Sequence, residues 1–157
     1  MYIENTIVVL GDWETIWALS SDIEKWPERL PHYRKVIIQS VSPGGRVRHA
    51  YMSCWRDILP VSWHTVQRLD YSATPAEARV LYNHVKGVTR GMEVIWRFEH
   101  LDEGVYRITI SHDWSPKWPL VGGIASRLIS QLIVHNIADK TLARVRVLAA
   151  QEPALVK

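Results

Sequence analysis

The chain has 157 residues, 47% hydrophobic and 22% charged, with a net charge of +3. That is enough length to bury a core, and no biased tract points to disorder. The positive charges are scattered rather than clustered, which argues against a nucleic-acid partner. No run of 18 apolar residues exists, so no membrane span is expected. Eight Trp and six Tyr stand against one Phe. Such rings carry an apolar body and a polar tip, which suits a semi-polar cavity or an interface.

The opening stretch "IENTIVVL" (3–10) is β-branched and reads as a strand. It lacks the basic flank and long apolar core of a signal peptide. With the lone Cys54, which excludes an internal disulfide, this gives a cytoplasmic expectation. Asp12 is placed to cap a helix over "WETIWALSSD", with Ile16, Trp17 and Leu19 as its apolar stripe. "DIEKWPERLP" reads as a second short helix, broken by Pro27 and ended by Pro31.

From His32 the texture changes to strands. "YRKVIIQSVS", "RVRHAYMSCWRDI", "VSWHTVQRLDYSA", "EARVLYNHVKG", "GMEVIWRFEHL" and "VYRITISHDWS" follow one another through short turns such as Pro43-Gly44-Gly45 and Asp102-Glu103-Gly104. Strands joined this way make an antiparallel meander. A helical period then runs from Ile124 to Ala149, a helix roughly 40 Å long at 1.5 Å per residue. Its apolar stripe drifts around the axis between the two halves, so either the helix bends or a partner, such as a second copy of the chain in a homodimer, covers the second half. Residues 1–150 are expected to form one domain and 151–157 a flexible tail.

One sheet with one long helix predicts an α+β architecture: a curved antiparallel seven-stranded sheet wrapped around the C-terminal helix, with two short helices after the first strand. A gap between sheet and helix is a natural ligand cavity. In "VSWHTVQRLD" (61–70), Trp63, Thr65 and Gln67 share the predominantly apolar face. A buried amide needs a partner, and a ligand-filled hollow would supply one. Trp63, Met92 and Trp96 have the parity of inward residues, whether they pack a core or line a pocket. Tyr33 follows the helix-breaking Pro31. Asn136 falls inside the apolar stripe of the long helix. His84 shares a face with Tyr82, and His112 shares one with Ile110 and Trp114, so both histidines are candidates for the cavity. The remaining five, His32, His49, His64, His100 and His135, are expected on the surface. No pair of histidines has metal-ligand spacing, and Gly122-Gly123 lacks the context of a nucleotide loop. No metal and no cofactor are expected. Cys54 reads as a packed residue rather than a nucleophile.

The element order resembles the helix-grip fold of the START / Bet v 1-like superfamily, and within it the polyketide cyclase/dehydrase group. The segments that carry the resemblance are "IWALSSDIEKWPERLPHYRKV" (16–36), "SWHTVQR" (62–68), "GMEVIWRF" (91–98) and "GGIASRLISQLIVHNI" (122–137). The resemblance implies an aromatic-lined pocket that folds a poly-β-ketone chain and closes a ring by aldol condensation and dehydration. It implies Trp26 and Tyr33 near the cavity mouth, Trp63, Thr65 and Gln67 on one strand, Met92 and Trp96 on another, and Asn136 on the long helix. Tyr33, Gln67 and His112 are the candidate catalytic groups; Trp26, Trp63, Thr65, Tyr82, His84, Met92, Trp96 and Asn136 are the candidate binding groups.

One departure matters. The resemblance implies an arginine where this chain has Gln67, and the adjacent Arg68 faces the other way. An amide donates a hydrogen bond but brings no charge to a developing enolate. The expected partner is a hydrophobic small molecule or a polyketide tethered to a carrier protein. Two alternatives share the residues: a non-catalytic carrier of a quinone or lipid, which needs the cavity but no acid or base, and a protein-interaction module with its Trp residues exposed.

Overall fold

In the computed structural model, which describes residues 1–115 and 136–151, the strands β1 (Tyr2–Leu10), β2 (Tyr33–Val41), β3 (Val47–Arg56), β4 (Leu59–Asp70), β5 (Arg79–Gly87), β6 (Glu93–Asp102) and β7 (Val105–Asp113) form one sheet. Its order is β1-β7-β6-β5-β4-β3-β2. Every pairing is antiparallel. The six strands after His32 form the expected meander, and β1 closes onto its last strand. Alternation sets the faces: Ala50, Met52 and Cys54 on β3, and Trp63, Thr65 and Gln67 on β4, are all buried.

The helix α1 (Trp13–Ser21) begins where Asp12 accepts the Thr15 amide at 3.0 Å. A single 3₁₀ turn (Ile23–Lys25) and the four-residue α2 (Trp26–Arg29) follow. Pro27 sits in the first turn of α2, where its missing N–H costs nothing, so it starts the helix rather than breaking it. The Leu30 amide closes α2 on the Trp26 carbonyl at 2.7 Å.

The C-terminal helix α3 is described over Asn136–Gln151. The expected helical residues 124–135, together with Gly122-Gly123 and His135, lie outside the described residues, as do 152–157. Gln151 is the last described residue of this helix. The apolar side of α3, through Leu142, Val145, Leu148 and Ala149, is buried against β1 and α1. Gly11 permits this docking: a Cβ there would stand 2.8 Å from the Ala149 carbonyl oxygen. Among the described residues no helix is long and apolar enough to cross a membrane.

Candidate functional site

Between the sheet and α3 lies a cavity of about 70 Å³. At roughly 10–15 Å³ of such volume per water, it has room for about five waters, the space of one or two fused rings. Its sheet wall is built from Met52, Trp63, Tyr82 and His84 on β3–β5, and from Val94, Trp96, Ile110 and His112 on β6–β7. Trp26 and Tyr33 close one side. Ile137, Ala138 and Thr141 of α3 close the top, and Met92 and Thr89 come from the β5–β6 connection. No charged residue is among these described lining groups.

The aromatic residues form a connected wall. The Trp26 ring lies 5.8 Å from Trp96 and 4.9 Å from Tyr33. Tyr33 meets Trp63 edge-on at 6.5 Å, and His84 stacks on the other ring contact of Trp63 at 5.3 Å. Offset and edge contacts at these separations are favourable beyond the area they bury. The Trp26 indole is anchored by donating to the Leu19 carbonyl at 2.9 Å. Trp63 Nε1, by contrast, is buried with no hydrogen-bond partner among the described residues.

The polar groups of the wall are all neutral. Burial raises the Tyr33 phenol well above its ordinary range, and the proximity of Cys54 and Tyr82 raises it further. Tyr33 is therefore a hydrogen-bond donor, not a base. Burial lowers His112 to about 4. It also lowers His84 to about 3, with the nearby His112 a smaller cause. Both are neutral imidazoles at pH 7, so His112 is no imidazolium acid. The Nδ1 of His112 has no hydrogen bond among the described residues, whereas His84 Nδ1 pairs with Thr89 Oγ1 at 2.6 Å.

Thr141 links this wall to the outside. Its hydroxyl donates to the Ile137 carbonyl at 2.8 Å and lies 2.9 Å from His32 Nε2. A hydroxyl has one hydrogen, so His32 must carry its own on Nε2 and donate it. Thr141 also lies close enough to the Tyr33 hydroxyl to offset part of the rise in its pKa. His32, expected on the surface, is thus half-buried, drawn in by this bond, and burial together with Lys140 lowers it to about 4. Beyond it an open groove of about 870 Å³ runs past Trp55, Ile58, Lys140 and Arg144. The groove is larger, but it is a solvent-open surface; the convergent polar groups belong to the smaller, deeper cavity.

The structure brings eight of the eleven sequence-derived candidates to the cavity: Trp26, Tyr33, Trp63, Tyr82, His84, Met92, Trp96 and His112. Gln67, Thr65 and Asn136 are not among its lining residues. Gln67 faces inward and is wholly buried, but its Nε2 donates to the Ser21 carbonyl at 2.9 Å and to the Tyr82 hydroxyl at 3.1 Å. It stands behind Tyr82 and ties β4 to the end of α1. Thr65 donates to the Asn83 carbonyl across the β4–β5 ladder at 3.1 Å. Asn136 begins the described part of α3 and is only half-buried, while its successors Ile137 and Ala138 form the wall. His64 is half-buried against Gln39, and His49 and His100 are exposed. Cys54 is buried, its thiol pushed up to about 12 by burial, which suits packing and not attack. Among the described residues no group of three potential metal ligands exists.

A curved seven-stranded antiparallel sheet gripping a C-terminal helix, with two short helices after β1, defines a helix-grip, START-like protein. The family described as polyketide cyclase / dehydrase and lipid transport matches residues 12–141, and the chain belongs to it. Among solved structures the chain is similar to the ZhuI aromatase/cyclase from Streptomyces sp. R1128, at 19% identity and a TM-score of 0.82, covering 96% of this chain and 94% of that one. It is similar to a START superfamily protein from Mycobacterium smegmatis, at 17% identity and a TM-score of 0.73, covering 96% and 97%. It is also similar to the di-domain aromatase/cyclase StfQ of the steffimycin biosynthetic pathway, at 17% identity and a TM-score of 0.72, covering 96% of this chain and 51% of that one. A search of curated proteins by sequence gives no significant match.

Proposed function

We propose that this chain binds a poly-β-ketone or aromatic intermediate in the cavity and promotes its intramolecular aldol cyclisation and dehydration. One observation carries the reading: a neutral phenol, Tyr33, and a neutral imidazole, His112, share a cavity whose other described lining residues carry no charge and are mostly aromatic or aliphatic. The likeness to aromatase/cyclases supports it. Most of the barrier in such a ring closure is the cost of holding a flexible chain in one fold. Good orientation alone supplies up to roughly 7–11 kcal/mol. Trp26, Trp63 and Trp96 shape that fold and exclude water.

The chemistry asks for one acid and one base. An enol carbon attacks a ketone carbon, forming the C–C bond, and the carbonyl electron pair moves to oxygen. Tyr33 protonates that oxygen; the enol O–H proton passes to the imidazole of His112. Loss of water then returns both groups to neutral: the His112 imidazolium formed in the first step protonates the leaving hydroxyl, and the Tyr33 phenolate takes the proton of the adjacent C–H. The volume seats one or two rings, so the reading places the first ring inside and the rest of a long chain outside. A carrier-protein tether is compatible with that arrangement.

The experiment is a minimal polyketide synthase reconstituted with and without this protein. The expected result is a shift of the products towards one first-ring regiochemistry, with the rate falling about 10²- to 10⁴-fold in Tyr33→Phe and His112→Leu, the range for one acid–base group. Identical products with and without the protein overturn the proposal.

A second reading, a non-catalytic carrier of a hydrophobic ligand, is favoured by the lack of any charged group among the described lining residues. A co-purifying isoprenoid or acyl lipid in native mass spectrometry, with no effect on product distribution, selects it.

A further inference from the structure

The outer groove has a chemical character that the cavity lacks. One wall is the end of the β3–β4 hairpin, where Arg56 pairs with Leu59 and leaves a turn of only Asp57 and Ile58. Asp57 takes the positive φ, 52°, that such a tight turn needs. Ile58 does nothing for the turn. Hairpin tips favour Gly, Asn and Asp, yet this β-branched side chain stands there 87% exposed. Trp55 on the same wall is also exposed. It carries the Arg34 guanidinium over its ring, 4.3 Å from the centroid.

The other wall is one stripe of α3. Lys140, Ala143, Arg144 and Val147 recur at the three- and four-residue spacing of a single helix face. Val147 adds a third exposed apolar side chain. Lys140 and Arg144 stand one turn apart, like charges that repel each other along a helix. The Arg144 Nε donates to the Arg29 carbonyl at 3.0 Å, which fixes the half-buried guanidinium. Its Nη groups form no ion pair among the described residues. Lys140 comes no nearer than 3.9 Å to Asp57, and both side chains are well exposed, so the contact is weak. His32 is the remaining polar group of the lining; it is neutral and its Nε2 is spent on Thr141.

These two walls define an occupant. Exposed apolar side chains gathered in one concave place mark a contact surface. Two cations against the lone carboxylate of Asp57 leave the lining one net positive charge. A carboxylate, a monoanion at pH 7, balances it; a phosphate monoester, at about −1.5 to −2, overshoots. The groove is open to solvent, so a small molecule reaches these side chains directly. Arg144 lies half-buried, within reach of a slender chain rather than of a flat bilayer.

We infer that the groove is a second binding site, one that takes an amphipathic carboxylate, its apolar chain along Trp55, Ile58 and Val147 and its oxygens on Lys140 and Arg144. The inference goes beyond the cavity-binding reading and does not depend on it.

The test titrates octanoate and octan-1-ol into the ¹⁵N-labelled intact protein and follows the indole N–H signals. Octanoate is expected to move Trp55 saturably and to bind about tenfold more tightly than octan-1-ol, the scale of one hydrogen bond to a charged group. Lys140→Gln and Arg144→Gln should each shrink that preference while octan-1-ol affinity is kept, which also shows that the groove is intact. Lys140→Gln alters an exposed side chain and keeps the test decisive if Arg144→Gln fails to fold. Ile58→Ser should weaken both compounds about threefold, since both lose apolar contact. Equal affinities, or a preference undiminished in Lys140→Gln, overturns the site. Movement of Trp63 and Trp96 with Trp55 in place overturns it and leaves the cavity reading standing. Co-sedimentation with phosphatidylglycerol vesicles, with Trp55 unmoved by octanoate, overturns it in favour of a lipid surface.

Discussion

The imidazole of His84 lies almost flat on the indole of Trp63, with centroids 5.3 Å apart and planes inclined by 16°. The opposite side of the imidazole is tied by Nδ1 to Thr89. Stacking and a single neutral hydrogen bond suit an uncharged ring, and burial lowers its pKa to about 3.

Acid should therefore unfold this protein through its buried imidazoles. His112 has a folded pKa of about 4, against an ordinary value of 6.5, because burial penalises its charged form. Below about pH 6.5 the unfolded chain takes up a proton that the folded chain refuses. Stability is full above that pH and is lost as pH falls towards 4. At pH 5 the deficit from His112 is about 2 kcal/mol, fixed by the unfolded pKa alone. His84 acts in the same direction. Urea unfolding at pH 7.5 and pH 5.0 measures the effect, and His112→Gln should shrink it. A midpoint independent of pH counts against neutral buried imidazoles, as does an NMR titration midpoint above pH 5.5 for either ring.

Gln67→Leu should destabilise the fold by about 1–3 kcal/mol, because it strands the Ser21 carbonyl and weakens the hold on the Tyr82 hydroxyl. Thr65→Val removes one bond to the Asn83 carbonyl in a near-isosteric change and should cost about 1 kcal/mol. Urea unfolding of both variants checks the ranking. Equal, negligible effects contradict a structural role for Gln67.

Gly87 is paired with Trp63 in the β4–β5 ladder. Its φ is +99°, and a Cβ there would stand 2.6 Å from the Ser62 carbonyl oxygen and 2.9 Å from Trp63 Cα. Gly87→Ala should cost more than about 1 kcal/mol through the backbone alone. It should also displace Trp63 from His84, visible as a changed near-ultraviolet circular dichroism spectrum. An unaltered spectrum with native stability contradicts the close packing.

The legible part of this molecule was its periodicity. Two-residue alternation exposed the strands and put Trp63, Trp96, Tyr82 and His84 on the inner side, and Asp12 marked the start of α1. Parity gives the face of a residue, not its depth. Thr65 and Gln67 face inward as read, yet Thr65 bonds to the Asn83 carbonyl, and Gln67 to the Ser21 carbonyl and the Tyr82 hydroxyl, behind the cavity wall. Thr89 comes from a turn, and Thr141 from a helix whose facing depends on tertiary docking. His32 looked like a surface residue because nothing local announces a bond to Thr141, 109 positions away.

The central claim is that a ligand enters the hollow under α3, and the indole N–H signals of the tryptophans report on it most directly. Trp63 Nε1 has no hydrogen-bond partner among the described residues, whereas Trp13 Nε1 is held by the Ser72 carbonyl at 3.0 Å, outside the cavity lining. In a ¹⁵N-labelled sample titrated with 2-naphthol, the Trp63 and Trp96 signals should move together and saturably while Trp13 stays in place. Movement confined to Trp55, in the outer groove, or no movement at Trp63 under saturating ligand, would contradict the account.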